Sequence, residues 1–80
     1  MEDFLPKIQE AFRVAFDIDP EMINIDTGPD QVPGWDSLGH VALGSALERL
    51  FGISLDVDDL MAMENVKAIV KVIQDKLGKA

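Results

Sequence analysis

Apolar residues recur at helical spacing in three stretches of the chain, and nowhere do they alternate as a half-buried strand would. Phe4, Ile8, Phe12 and Ala15 stand at intervals of four, four and three, which places them on one face of a first helix. Asp3 is its expected N-cap. Pro6 falls in the first turn, where its missing N–H does no harm, and the helix is expected to end near Asp17. A second helix is predicted from Ser37 to Phe51, capped by Asp36 or Ser37 and closed by Gly52 in a left-handed turn. Asp56, Asp58 and Asp59 then precede Leu60-Met61-Ala62-Met63, which reads as a helix of one or two turns. Asn65 is a good N-cap for a last helix striped by Val66, Ile69, Val70, Ile73 and Leu77.

The segment from Asp17 to Asp36 breaks this pattern. Pro20, Pro29 and Pro33 interrupt regular structure, and Gly28 and Gly34 supply turns. Met22, Ile23 and Ile25 are expected to tuck inward and pin the loop. Its charged residues (Asp17, Asp19, Glu21, Asp26, Asp30 and Asp36) are all acids. Long loops inside a small domain are often functional. A calcium loop starting at Asp17 fails on spacing: Met22 stands where glycine is needed, and Gly28 where a bidentate glutamate is needed.

Placed on a wheel at about 100° per residue, the second helix divides. Gly39, Leu43, Ala46, Leu47, Leu50 and Phe51 share the side expected to be buried. Ser37, Leu38, Val41, Ser45 and Glu48 fall roughly opposite. Ser37 is therefore expected to be exposed at a helix start, with Leu38 and Val41 as an apolar contact patch beside it. Gly39 and Gly44 lie inside the helix at a cost of up to about 1 kcal/mol each relative to alanine. Either they serve close helix packing, against Phe12 or Phe16 for instance, or Gly39 and Ala46 leave space between helices. His40, one turn after Ser37, reads as a boundary residue or as a hydrogen-bond donor to an anion at Ser37. Trp35 reads as packing at the loop–helix junction.

Composition narrows the function. Eighty residues form a single domain, 1–80, near the lower size limit for a self-sufficient core, and 48% of them are hydrophobic, too many for a disordered chain. A core this small has no room for a buried active site with several positioned groups. A hydrolase built on Ser37 and His40 would also lack an orienting acid and an oxyanion hole. Fifteen acids against seven bases give a net charge of −8, which disfavours nucleic acid and anionic membrane surfaces and favours partners with basic patches. With no cysteine there is no disulfide, thiolate metal site or cysteine nucleophile. No apolar run could span a bilayer, and no signal-peptide core follows the acidic Met1-Glu2-Asp3. A cytoplasmic monomer is the expectation.

The run Gly34-Trp35-Asp36-Ser37-Leu38-Gly39-His40 contains the Asp-Ser-Leu signature of acyl carrier and peptidyl carrier proteins, in a form similar to that of specialised stand-alone carriers. The resemblance covers almost the whole chain. It takes in the amphipathic first helix, the long acidic loop, the helix end Leu50-Phe51-Gly52-Ile53, the Asp-rich third helix and the Asn65-Val66 start of the fourth.

This resemblance implies an all-α four-helix bundle with three longer helices, a short third one, and a long loop between the first two. It implies a covalent 4′-phosphopantetheine arm on Ser37, attached from coenzyme A by a phosphopantetheinyl transferase using Mg²⁺. That makes the chain a phosphoprotein and a carrier rather than an enzyme, with an acyl or aminoacyl cargo held as a thioester. Asp36 would cap the helix and meet the basic transferase surface, and the loading enzyme and downstream transferases would present basic surfaces too. The chain departs from fatty-acid carriers in one respect: after Ser37 its second helix carries only Glu48 and Arg49, so it is formally neutral. That favours a dedicated pathway. The reading from another class is an unmodified acidic adaptor that binds a basic partner.

Overall fold

The computed structural model describes residues 4–78. Helix α1 spans Leu5–Phe16, α2 Ser37–Phe51, α3 Val57–Ala62 and α4 Val66–Gly78, and there is no strand among the described residues. Two single 3₁₀ turns, Pro20–Met22 and Pro29–Gln31, stiffen the α1–α2 loop, each with proline in its first turn. The expected four-helix bundle with a short third helix is what forms.

The apolar stripes meet in one core. Ile8 and Phe12 of α1, Leu43 and Leu47 of α2, and Ile69 and Ile73 of α4 are fully buried. The α1 cap position falls on Phe4, whose side chain offers no acceptor and packs edge-on against Phe51 at 5.9 Å between ring centroids. Asp3, the expected cap, lies outside the described residues. Asp17 closes α1 in the left-handed conformation (φ 55°), donating its N–H to the Arg13 carbonyl at 2.8 Å.

The loop is pinned in part by other apolar residues than expected: Ile23 and Val32 are buried and Ile18 packs against the core, but Met22 and Ile25 are 55% and 42% exposed. Gln9 Nε2 donates to the Ile23 carbonyl at 2.8 Å and holds that residue inward. The tight turn of Asn24 to Thr27, in which Asn24 Oδ1 accepts the Asp26 N–H, then swings Ile25 outward. A further anchor is polar: buried Thr27 accepts the Asn24 N–H on Oγ1, and its carbonyl accepts the Val66 N–H at 3.0 Å. That bond ties the loop to the start of α4.

Helix α3 begins earlier than its apolar residues suggest. Asp56 is the N-cap, and Asp58 and Asp59 form the first turn rather than preceding the helix. Asp56 Oδ1 accepts the Asp59 N–H at 2.9 Å and Asp59 Oδ2 accepts the Asp56 N–H at 3.1 Å, a reciprocal capping box. Met63 falls just beyond the helix and is buried. Asn65 Oδ1 accepts the Ala68 N–H at 2.8 Å, as expected of a cap.

Candidate functional site

The geometry around Ser37 is set by the turn that precedes it. Gly34 adopts φ 88°, a conformation that glycine takes without strain. Its carbonyl accepts the Asp36 N–H at 2.8 Å. Asp36 is extended and caps α2: its Oδ1 accepts the Gly39 N–H at 3.0 Å and its carbonyl accepts the His40 N–H at 2.7 Å. Asp36, not Ser37, is therefore the cap. Ser37 is the first residue of the helix, exposed, and its hydroxyl makes no hydrogen bond among the described residues.

The wheel holds on this face with two changes. Leu38 and Val41 are 85% and 57% exposed. Glu48, expected in solvent, is half-buried because its carboxylate accepts the Leu55 N–H at 2.8 Å and so fixes the α2–α3 connection. Gly44, which the wheel did not assign, is buried against Leu60. Both helix glycines serve close approach: a methyl group on Gly39 would overlap the Gly34 carbonyl and stand 2.6 Å from the Phe16 ring.

Trp35 is 8% exposed and packs edge-on against Phe12 at 4.9 Å. Its indole N–H donates to His40 Nδ1 at 2.8 Å, and the two rings are nearly parallel. The other ring nitrogen of His40, Nε2, lies 2.7 Å from the Leu60 carbonyl. His40 is thus neither an idle boundary residue nor free to meet an anion at Ser37, because both its nitrogens are engaged. The Trp-x₄-His spacing was the available signal for the first of these bonds. Nothing in the sequence points to the carbonyl of Leu60.

An open groove of about 410 Å³ begins at Ser37. One wall is Pro29, Trp35 and His40; the other is Leu60, Met61, Met63 and Glu64 from α3 and the turn after it. The lining joins apolar surface to a few polar groups, as a flexible amide-containing chain requires. At its head, the Ser37 and Leu38 N–H groups have no intrahelical acceptor and the helix dipole is positive, a setting that suits a phosphate on the adjacent hydroxyl. The residues present therefore fit a phosphopantetheine group.

Residues 6–73 match the model of the phosphopantetheine attachment site family. An acyl carrier protein of Phenylobacterium zucineum is 32% identical over 98% of this chain and 99% of its own length. One from Cyanidium caldarium is 31% identical over 96% and 90% respectively. The solution NMR structure of a holo acyl carrier protein from Geobacter metallireducens superposes with a TM-score of 0.80 at 28% identity, covering 94% of this chain and 86% of that one. With family match, end-to-end relatives and fold in agreement, the chain belongs to the acyl carrier protein family, whose members are carriers with a phosphopantetheine prosthetic group and not enzymes.

Proposed function

We propose that Ser37 is the attachment point of the arm, and that the chain delivers an acyl or aminoacyl group between enzymes of a dedicated biosynthetic pathway. The observation that carries this reading is a free, exposed hydroxyl on the first residue of α2, at the head of a groove that suits the arm. In the loading step Ser37 Oγ loses its proton to the transferase and attacks the β-phosphate of coenzyme A. The Oγ–P bond forms, and the bridging P–O bond of the pyrophosphate breaks, its oxygen and electron pair departing as 3′,5′-ADP. The arm, once bound, supplies a thiol that holds cargo as a thioester. The chain has no cysteine to compete for that cargo.

Support for a dedicated pathway comes from charge. Between Ser37 and Phe51 the only formally charged side chains are Glu48 and Arg49, and Glu48 is occupied with the Leu55 N–H. The face beside Ser37 offers partners Leu38 and Val41 rather than a row of carboxylates.

The test is an intact mass after incubation with coenzyme A, Mg²⁺ and a broad-specificity phosphopantetheinyl transferase. A gain of one phosphopantetheine on the wild type and none on Ser37→Ala is expected. No gain on the wild type would favour the unmodified adaptor, and a gain on Ser37→Ala would move the site. The loaded protein is then offered to a fatty-acid synthase acyltransferase. Efficient malonyl transfer would overturn the dedicated-pathway reading.

A further inference from the structure

Tryptophan's indole nitrogen can only donate a hydrogen bond. Its contact with His40 Nδ1 at 2.8 Å therefore requires that nitrogen to be the acceptor. The proton of a neutral imidazole must then sit on Nε2, where it donates to the Leu60 carbonyl at 2.7 Å. An imidazolium, or the Nδ1–H tautomer, would set one N–H against another. One side chain thus joins three parts of the molecule: the loop through Trp35, the start of α2 through its own backbone, and the end of α3 through Leu60. These parts are the two walls of the groove and the helix that presents Ser37.

We propose that His40, as the neutral Nε2–H tautomer, is a positioning residue for the loading of Ser37. It acts through Trp35 and Leu60 and does not touch the reacting atoms; the proposal rests on Ser37 being the attachment point. With the clasp closed, the walls beside Ser37 stand ready for the transferase. With it open, α3 and the loop visit other arrangements, and the transferase captures only the competent fraction. Loss of that fraction raises the apparent dissociation constant and leaves the chemical step alone. The expected signature is a KM effect without a kcat effect.

Three proteins test this: the wild type, His40→Phe, which keeps a flat ring but neither hydrogen bond, and His40→Gln, which offers one acceptor and one donor. Nitrogen-15 NMR of the unmodified wild type at neutral pH should show Nε2 protonated and Nδ1 not. The Trp35 indole N–H resonance should shift in His40→Phe and largely return in His40→Gln. In transferase kinetics followed by mass, His40→Phe should raise the KM for the carrier about tenfold with kcat within about twofold, and His40→Gln should stay within about threefold of wild type on both. Amide spectra establish that each variant is folded. The Nδ1–H tautomer, a folded His40→Phe that loads with wild-type KM, or a His40→Gln no better than His40→Phe would each overturn the proposal. A wild type that accepts no arm overturns the assignment of Ser37 instead, and the tautomer is still read on the unmodified protein.

Discussion

The two glycines inside α2 have the same intrinsic helix penalty, about 1 kcal/mol each relative to alanine, but different surroundings. At Gly39 the obstacle is backbone, since a methyl group would meet the Gly34 carbonyl, itself fixed by the Asp36 N–H. At Gly44 the nearest atom is Leu60 Cδ2 at 2.5 Å, the far end of a side chain that can turn aside. Overpacking a rigid site costs about 1–3 kcal/mol, more than the propensity gain returns. Gly39→Ala is therefore expected to lower unfolding free energy by about 1–2 kcal/mol, whereas Gly44→Ala should stay within about 1 kcal/mol of wild type. Denaturant midpoints at unchanged slope would check both. Equal effects would mean that the Gly34 turn yields as easily as a leucine side chain.

At the scale of elements, α3 is the one that could not stand alone. It has six residues, where isolated helices need about 12–15 to be even marginal. Its capping box fixes its start, and Lys76 of α4 reaches Asp59 Oδ2 at 2.7 Å. The hydrogen bond from Lys76 and then the Asp56 N–H hold the Asp59 carboxyl below the usual carboxylate range, and the same contact raises Lys76. A carboxyl depressed by folding stabilises the fold above its unfolded value, about 4, and loses that contribution as pH falls through its lower folded value. The raised lysine does the converse, losing its contribution only as alkaline pH passes its folded value. Wild type should therefore lose more melting temperature than Asp59→Asn on going from neutral pH to below pH 4, because asparagine keeps an acceptor for the cap but has no charge to lose. Parallel melting curves for the two proteins would show that the ion pair contributes nothing measurable, as many exposed pairs do.

Across the whole molecule, acidic charge is concentrated while exposed apolar surface is not: Met22 and Ile25 stand in the acidic loop, and Val57 and Met61 on α3. The acids collect in the α1–α2 loop and around α3, while α2 beside Ser37 presents Leu38 and Val41. Much of this was legible in the sequence because it rests on local rules: the 3.6-residue stripes, the Asp36, Gly52 and Asn65 caps, and the exposed helix start at Ser37 all follow from neighbours in the chain. What was not legible depends on contacts made at a distance. Ile23 is the residue that goes inward because Gln9, on another element, holds it, and Ile25 is turned outward by the Asn24–Thr27 turn, which is tied to α4 through the Thr27 carbonyl. Glu48 leaves solvent for a backbone N–H in the next linker. His40 has a partner twenty positions away in a backbone carbonyl, a group that every residue carries and that no composition or spacing can single out.

The chain contains one tryptophan and no tyrosine, and that tryptophan is a wall of the groove that starts at Ser37. Nearly all its ultraviolet emission therefore arises a few side chains from the proposed attachment point, under the influence of the His40 ring hydrogen-bonded to its indole N–H. Conversion of Ser37 to its loaded form should change the intensity or wavelength of that emission in step with the mass gain, so that the protein reports its own loading without a label. An emission spectrum identical before and after loading would place the arm outside the groove, lying away from the Trp35 wall.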